Sequence, residues 1–229
     1  MSQYSLNVCH LYGNLLNTYG DNGNLLVLDY LARQANIDFH SEIISIDEDL
    51  DETQYDLFFF GGGQDFEQTI VSRDIPRKAK AITRFIENDG VMLAICGGYQ
   101  LLGHYYMGAD GQKIKGISAI DYYTLSQDNN RFIGDVRIVN EVFNEEYVGF
   151  ENHNGMTFLG EGLQPLGRVI EGYGNNGQDQ TEGVHYRNTF GSYFHGPILA
   201  RNLNLAKRIL ITALEKKYQE SFEHLFQDK

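Results

Sequence analysis

Several absences narrow the class of this chain before any motif is read. It holds two cysteines in 229 residues, Cys9 and Cys96. That is too few for the disulfide framework of a small secreted domain, and nothing has zinc-ligand spacing. A reducing cytoplasm is the expected compartment. No apolar run approaches the ~20 residues of a membrane span, and the opening Ser2-Gln3-Tyr4-Ser5 is not a basic leader ahead of an apolar stretch. Basic residues are scarce: 18 Lys and Arg against 31 Asp and Glu leave a net charge of −13, which opposes general binding to nucleic-acid phosphates or anionic membranes. No Gly-Lys-Ser/Thr phosphate loop is present, nor the glycine spacing of a dinucleotide fingerprint. Without repeats or a long linker, residues 1–218 read as one domain and 219–229 as a tail that extends the last helix or frays.

What is present alternates between apolar runs and helical patterns, as expected of an α/β fold with a mainly parallel central sheet flanked by helices. Leu6–Leu11 predicts a first strand, followed by a Gly/Asn-rich turn over 12–24 and a helix from Leu25 to Gln34. Strands are expected within Ile37–Ile46 and over Tyr55–Phe60. Ala79, Ile82, Phe85 and Ile86 recur at helical spacing behind Pro76, a favourable helix-start residue. From Tyr122 to Phe190 the pattern changes to short strands and turns, predicting an antiparallel β extension in the second half. Leu203–Tyr218 closes as a helix.

The run Val91–Ile95 ends on Cys96, followed by Gly97 and Gly98 and a new helical pattern. A nucleophile held on a sharp strand-to-helix turn has this form: its side chain projects from the strand tip, and small neighbours (Ala94, Gly98) admit the tight backbone. The N–H groups of the new helix favour a thiolate and a developing oxyanion. A buried structural cysteine ahead of a glycine turn is the plainer reading of the same residues. The thiol needs a base, and His195, at the end of a β-like run and before Gly196 and Pro197, is best placed to take and return a proton. His10, His40, His104 and His224 read more simply as structural, while His153 and His185, in the second half near polar turns, are the closer competitors that His195 outweighs on context. Gly61-Gly62-Gly63 ends another strand, where backbone N–H groups can approach a substrate oxygen, although a plain turn would look the same.

Together, Phe60-Gly-Gly-Gly-Gln-Asp65, Ala94-Ile-Cys-Gly-Gly-Tyr-Gln-Leu-Leu-Gly103 and Tyr193-Phe-His-Gly-Pro-Ile-Leu199 resemble class I glutamine amidotransferases of the cobyric-acid-synthase type. Tyr19–Asn24, Asn130–Asp135, Gly149–His153 and Gly172–Asn176 resemble, more narrowly, the GatD family of glutaminase subunits of bacterial lipid II isoglutaminyl synthase. The resemblance implies a class I amidotransferase, flavodoxin-like fold. It implies that Cys96 attacks the side-chain amide of L-glutamine, that His195 moves the protons, and that Arg131 pairs with the glutamine α-carboxylate. It further implies Gly62, Gly63 and Gly97 as oxyanion donors. Ammonia would pass to a Mur-ligase-like partner of the MurT type in a heterodimer. That partner, using ATP and Mg, would amidate the D-glutamate α-carboxylate of lipid II in cell-wall (peptidoglycan) synthesis. No cofactor or metal is expected on this chain itself.

One departure stands out. Many class I amidotransferases carry Glu two residues beyond the catalytic His, whereas this chain has Pro197. Asp21 and Glu151 are the candidate orienters of the imidazole, with a Cys–His dyad as the alternative. Asp21 also suits a helix cap. Glutaminase chemistry for another acceptor, such as a corrinoid side chain, or a non-catalytic scaffold role, would fit parts of the same pattern.

Overall fold

The computed structural model of the chain describes residues 2–108, 111–127 and 130–227. The first half alternates as expected: β1 (Tyr4–Leu11), α1 (Gly23–Gln34), β2 (Ile37–Ile44), β3 (Leu57–Phe60), α2 (Asp65–Asp74), α3 (Ala79–Glu87), β4 (Val91–Ile95) and α4 (Gly97–Leu102). Every residue of β3 and β4 is buried, because parallel strands covered on both faces have no solvent side. β1 pairs in parallel with β2 and β3, and β3 with β4.

The second half contributes β5 (Tyr105–Met107), β6 (Lys113–Lys115), β7 (Tyr122–Ser126), β8 (Phe132–Asn140), β9 (Glu145–His153), β10 (Gly155–Leu159) and β11 (Gly167–Glu171). β12 (Thr181–Glu182), β13 (Val184–Tyr186), β14 (Thr189–Ser192) and β15 (Phe194–His195) follow, then α5 (Ile198–Arg201) and α6 (Leu203–Tyr218). Three sheets result: β13-β14-β4-β3-β1-β2, β10-β7-β5-β6 and β12-β11-β8-β9-β15.

The expected antiparallel extension is present in the two smaller sheets, with one qualification. β14 leaves it and returns to the main sheet, parallel to β4, with Ser192 opposite Ile95. Three residues on, His195 pairs instead with Phe150 of β9 in the five-stranded sheet. Tyr193 is the residue between the two sheets.

One element is added and two expectations are corrected. α2 carried no helical signal, because its buried side includes Gln68 and Asp74 beside Val71, so no apolar stripe marks it. Pro76 sits in a short 3-10 turn, Ile75–Arg77, ahead of α3 rather than at its first position. The tail neither extends α6 nor frays over its described part. Gln219 ends the helix in the left-handed conformation, and Phe222 and Phe226 are buried, with Phe222 4.8 Å from the Tyr4 ring. Asp228 and Lys229 lie outside the described residues. No helix of the described residues is long and apolar enough to cross a membrane.

Candidate active site

β3 and β4 are neighbours, so their C-terminal ends deliver Gly61–Gly63 and Cys96 to one rim of the sheet, where open α/β sheets bind ligands. Cys96 has φ 46° and ψ −104°. For a residue with a Cβ that conformation costs on the order of 1–3 kcal/mol, a strain concentrated at functional turns. The Cys96 N–H donates to Ser192 O at 2.8 Å, which ties the turn to the end of β14. Gly98 allows the helix to start at once: a Cβ there would lie 2.5 Å from Phe60 O.

His195 reaches the same place through the Tyr193 crossover. The point where a Gly62 Cβ would sit lies 3.2 Å from Cys96 Cβ, 3.2 Å from His195 Cε1 and 2.9 Å from Asp21 Oδ2. Cys96, His195 and Asp21 therefore converge on one glycine. His195 is 1% exposed, and its Nδ1 is 3.6 Å from Asp21 Oδ1, an electrostatic contact rather than a hydrogen bond. Burial alone would push the imidazole toward its neutral form. The Cys96 sulfur and the Asp21 carboxylate outweigh it and lift the His195 pKa to about 10. The arrangement favours the protonated imidazole.

The remaining sequence candidates separate. Gly62 N–H donates to Asp21 Oδ2 at 2.7 Å, so it is committed to the carboxylate and does not face the cleft as an oxyanion donor. Gly63 N lies beside Gly97, 2.9 Å from where a Cβ on that residue would be. Gly97 opens α4, where an N–H has no intrahelical acceptor. The backbone of Gly63 therefore runs against Gly97, the residue that follows the nucleophile. Glu151 is not brought to His195. Its carboxylate accepts Tyr173 N–H at 2.7 Å and Gly174 N–H at 2.9 Å, and lies 3.7 Å from Nε2 of His153. His153 is itself buried, with its pKa lowered by burial against the pull of Glu151.

A cleft of about 500 Å³ opens over the sulfur, lined by Cys96 and His195, by Gly63 to Gln68 without Glu67, and by Thr18, Tyr19, Gln100, Tyr106, Arg131, Ile133 and Asn152 to Asn154. Arg131 stands at its mouth. Its Nε donates to Asn152 Oδ1 at 3.0 Å, and Asn152 Nδ2 donates to the Tyr19 hydroxyl at 2.6 Å. The Tyr19 ring lies edge-on to His195 at 4.7 Å. Neither Tyr19 nor Asn152 carries a signal for this role in the sequence. Their contact spans 133 positions, and no local period reports it. A buried cysteine beside a protonated imidazole, two glycine backbones at the nucleophile turn and a guanidinium at the entrance suit acyl transfer from a small amide that carries a carboxylate.

Comparisons with known proteins agree with that chemistry. The model of the CobB/CobQ-like glutamine amidotransferase domain matches residues 7–203. The chain is 57% identical over 220 residues to the lipid II isoglutaminyl synthase (glutamine-hydrolyzing) subunit GatD of Streptococcus pneumoniae, covering 96% of this chain and 85% of that one. It is 39% identical over 214 residues to the GatD subunit of Staphylococcus aureus, covering 93% and 86%. The cobyric acid synthase of Listeria innocua is 32% identical over 124 residues, 51% of this chain and 24% of that longer protein. Among solved structures, the PurLQS structure from Thermotoga maritima aligns with a TM-score of 0.62 over 94% of this chain and 99% of that one, at 15% identity, a likeness of fold alone. A Cys–His pair at the rim of a parallel sheet and a domain match across most of the length lead to one conclusion: this chain belongs to the family of CobB/CobQ-like glutamine amidotransferases.

Proposed function

We propose that this chain is the glutaminase subunit of a lipid II isoglutaminyl synthase. The observation that carries the reading is the buried convergence of Cys96, His195 and Asp21 on Gly62, in a chain 57% identical to a protein of that name. With the proton held on His195, the Cys96 sulfur attacks the side-chain amide carbon of L-glutamine. The resulting oxyanion meets the N–H groups of Gly63 and Gly97. Collapse, with a proton returned by His195, expels ammonia and leaves a γ-glutamyl thioester. Water, deprotonated by His195, then releases glutamate. Asp21 supplies the negative charge that faces the ring, and Arg131 holds the glutamine α-carboxylate.

Ammonia made at the base of the cleft is consumed by a second subunit. We assign to that MurT-like, Mur-ligase-type partner the ATP- and Mg-dependent activation of the D-glutamate α-carboxylate of the lipid II stem peptide, giving D-isoglutamine. The compartment proposed is the cytoplasm, where ATP and glutamine are available. The test is direct. Cys96→Ser is expected to abolish glutamate release from glutamine and glutamine-dependent amidation of lipid II, while added ammonium salts still support amidation in the presence of the ligase subunit. Glutamine hydrolysis that survives the change would overturn the reading.

A further inference from the structure

We propose that Glu182 is a positioning residue whose carboxyl fixes the bend at Ser192–Phe194 and thereby sets His195 against Cys96. The inference rests on the reading of Cys96 and His195 as a reactive pair. It adds a residue that none of the sequence motifs contains.

The need for it follows from the topology. Ser192 is the last residue paired with β4, and Phe194 is the first paired with β9, so Tyr193 belongs to neither ladder. All three residues are buried, and a buried N–H left without an acceptor is costly. Glu182 supplies the acceptor: its Oε1 receives Tyr193 N–H at 2.7 Å and lies 3.2 Å from the donating Ser192 hydroxyl. Ser192 Oγ in turn accepts Phe194 N–H at 3.0 Å, and Ser192 O accepts Cys96 N–H at 2.8 Å. One carboxyl thus organises the segment that carries the imidazole at one end and grips the nucleophile's backbone at the other.

The carboxyl is held firmly from behind. Asn175 Nδ2 donates to Gly183 O at 2.9 Å, and its Oδ1 accepts Gly183 N–H at 3.0 Å, clamping the residue next to Glu182. Asn175 Oδ1 also accepts the Tyr99 hydroxyl of α4, the helix that begins at the nucleophile, at 3.2 Å. Glu182 is fully buried, and burial pushes its pKa up to about 8, helped by the nearby Glu151 charge and opposed by the Tyr193 N–H and the Ser192 hydroxyl. Protonated or ionised, it keeps an oxygen for Tyr193 N–H. Gln, which copies the protonated acid, should therefore replace it. Asp, one methylene shorter, should not.

The experiment is the pH dependence of iodoacetamide alkylation at Cys96, located by peptide mass analysis, alongside glutamine hydrolysis and thermal melting. It is run on the full chain carrying Glu182→Gln, Glu182→Asp or Ser192→Ala. E182Q should keep the wild-type alkylation profile. E182D should form the thiolate at higher pH, slowing alkylation at neutral pH by about tenfold for each unit of displacement and recovering the wild-type rate in alkali. Its kcat for glutamine should fall with little change in KM. S192A should move the profile the same way by less, and it stands in if E182D does not fold. A wild-type profile in a folded E182D or in S192A would overturn the proposal, as would an E182Q profile displaced like that of E182D. A wild-type chain that hydrolyses no glutamine, while E182D still displaces the profile, would remove the glutaminase reading and leave the role of Glu182 standing.

Discussion

Gly62→Ala is the most economical probe of the site, because a single methyl group meets all three converging side chains. The added carbon would lie 2.9 Å from Asp21 Oδ2 and 3.2 Å from both Cys96 Cβ and His195 Cε1. Carbon–carbon contacts are comfortable at about 3.5–4.0 Å, so each partner must yield by a few tenths of an ångström. All three are buried: Asp21 is 0%, His195 1% and Cys96 9% exposed. Overpacking of this kind costs about 1–3 kcal/mol. For a chain of this size, that lowers the melting temperature by about 2–12 °C and leaves the fold intact. Turnover should suffer more, since misplacing reacting groups by about 1 Å costs on the order of a hundredfold in rate and smaller shifts cost a share of it. The assay pairs glutamate release under saturating glutamine with a melting curve of the same sample. Turnover within threefold of wild type, in a variant whose melting temperature has dropped as expected, would show that the three groups need not hold this spacing.

Other perturbations test separate links. Asp21→Asn removes one of the charges that keep His195 protonated. The His195 pKa is lifted from 6.5 to about 10, so its pairing contributes in full below pH 6.5 and is lost as pH climbs through 10. The variant should lose that stability at lower pH, and melting temperatures that track wild type across the window would refute the coupling. Arg131→Ala should raise the KM for glutamine at least tenfold, from the loss of a charge-assisted carboxylate contact, with kcat little changed; an unchanged KM would remove Arg131 from the substrate site. Away from the cleft, Lys78 Nζ lies 2.5 Å from Asp74 Oδ2, which also accepts the Tyr12 hydroxyl at 2.7 Å, and Lys78 is 2% exposed. Asp74→Ala strands that ammonium in the core and should cost about 3–5 kcal/mol in urea unfolding. A loss under about 1 kcal/mol would mean the ammonium finds water or another partner.

The legible parts of this chain were those whose signal is local. The continuous apolar runs of β3 and β4, the stripe of Ile82, Phe85 and Ile86, and the stripe of Leu205, Ile209 and Ala213 all follow from the period of one element. α2 was hidden because Gln68 and Asp74 occupy core-facing positions for the sake of partners elsewhere: Gly63 O for the first, Tyr12 and Lys78 for the second. The three-residue strands β5 and β6 were too short to carry a period. At the site, Cys96, His195 and Asp21 could each be nominated from their surroundings. The separation of Asp21 from Glu151 could not, because it depends on where Tyr173 and Gly174 come to lie. Gly62 was read as a donor on the strength of its strand-end position. Its N–H goes instead to a carboxylate 41 positions earlier.

The crossover at Tyr193 has a mechanical consequence. The sulfur is anchored to the larger sheet through β4, while the imidazole rides on the five-stranded sheet through β15, two residues past the changeover. A rotation of the five-stranded sheet about Tyr193 would swing the ring and leave the thiol still, like a lever whose fulcrum is a single peptide.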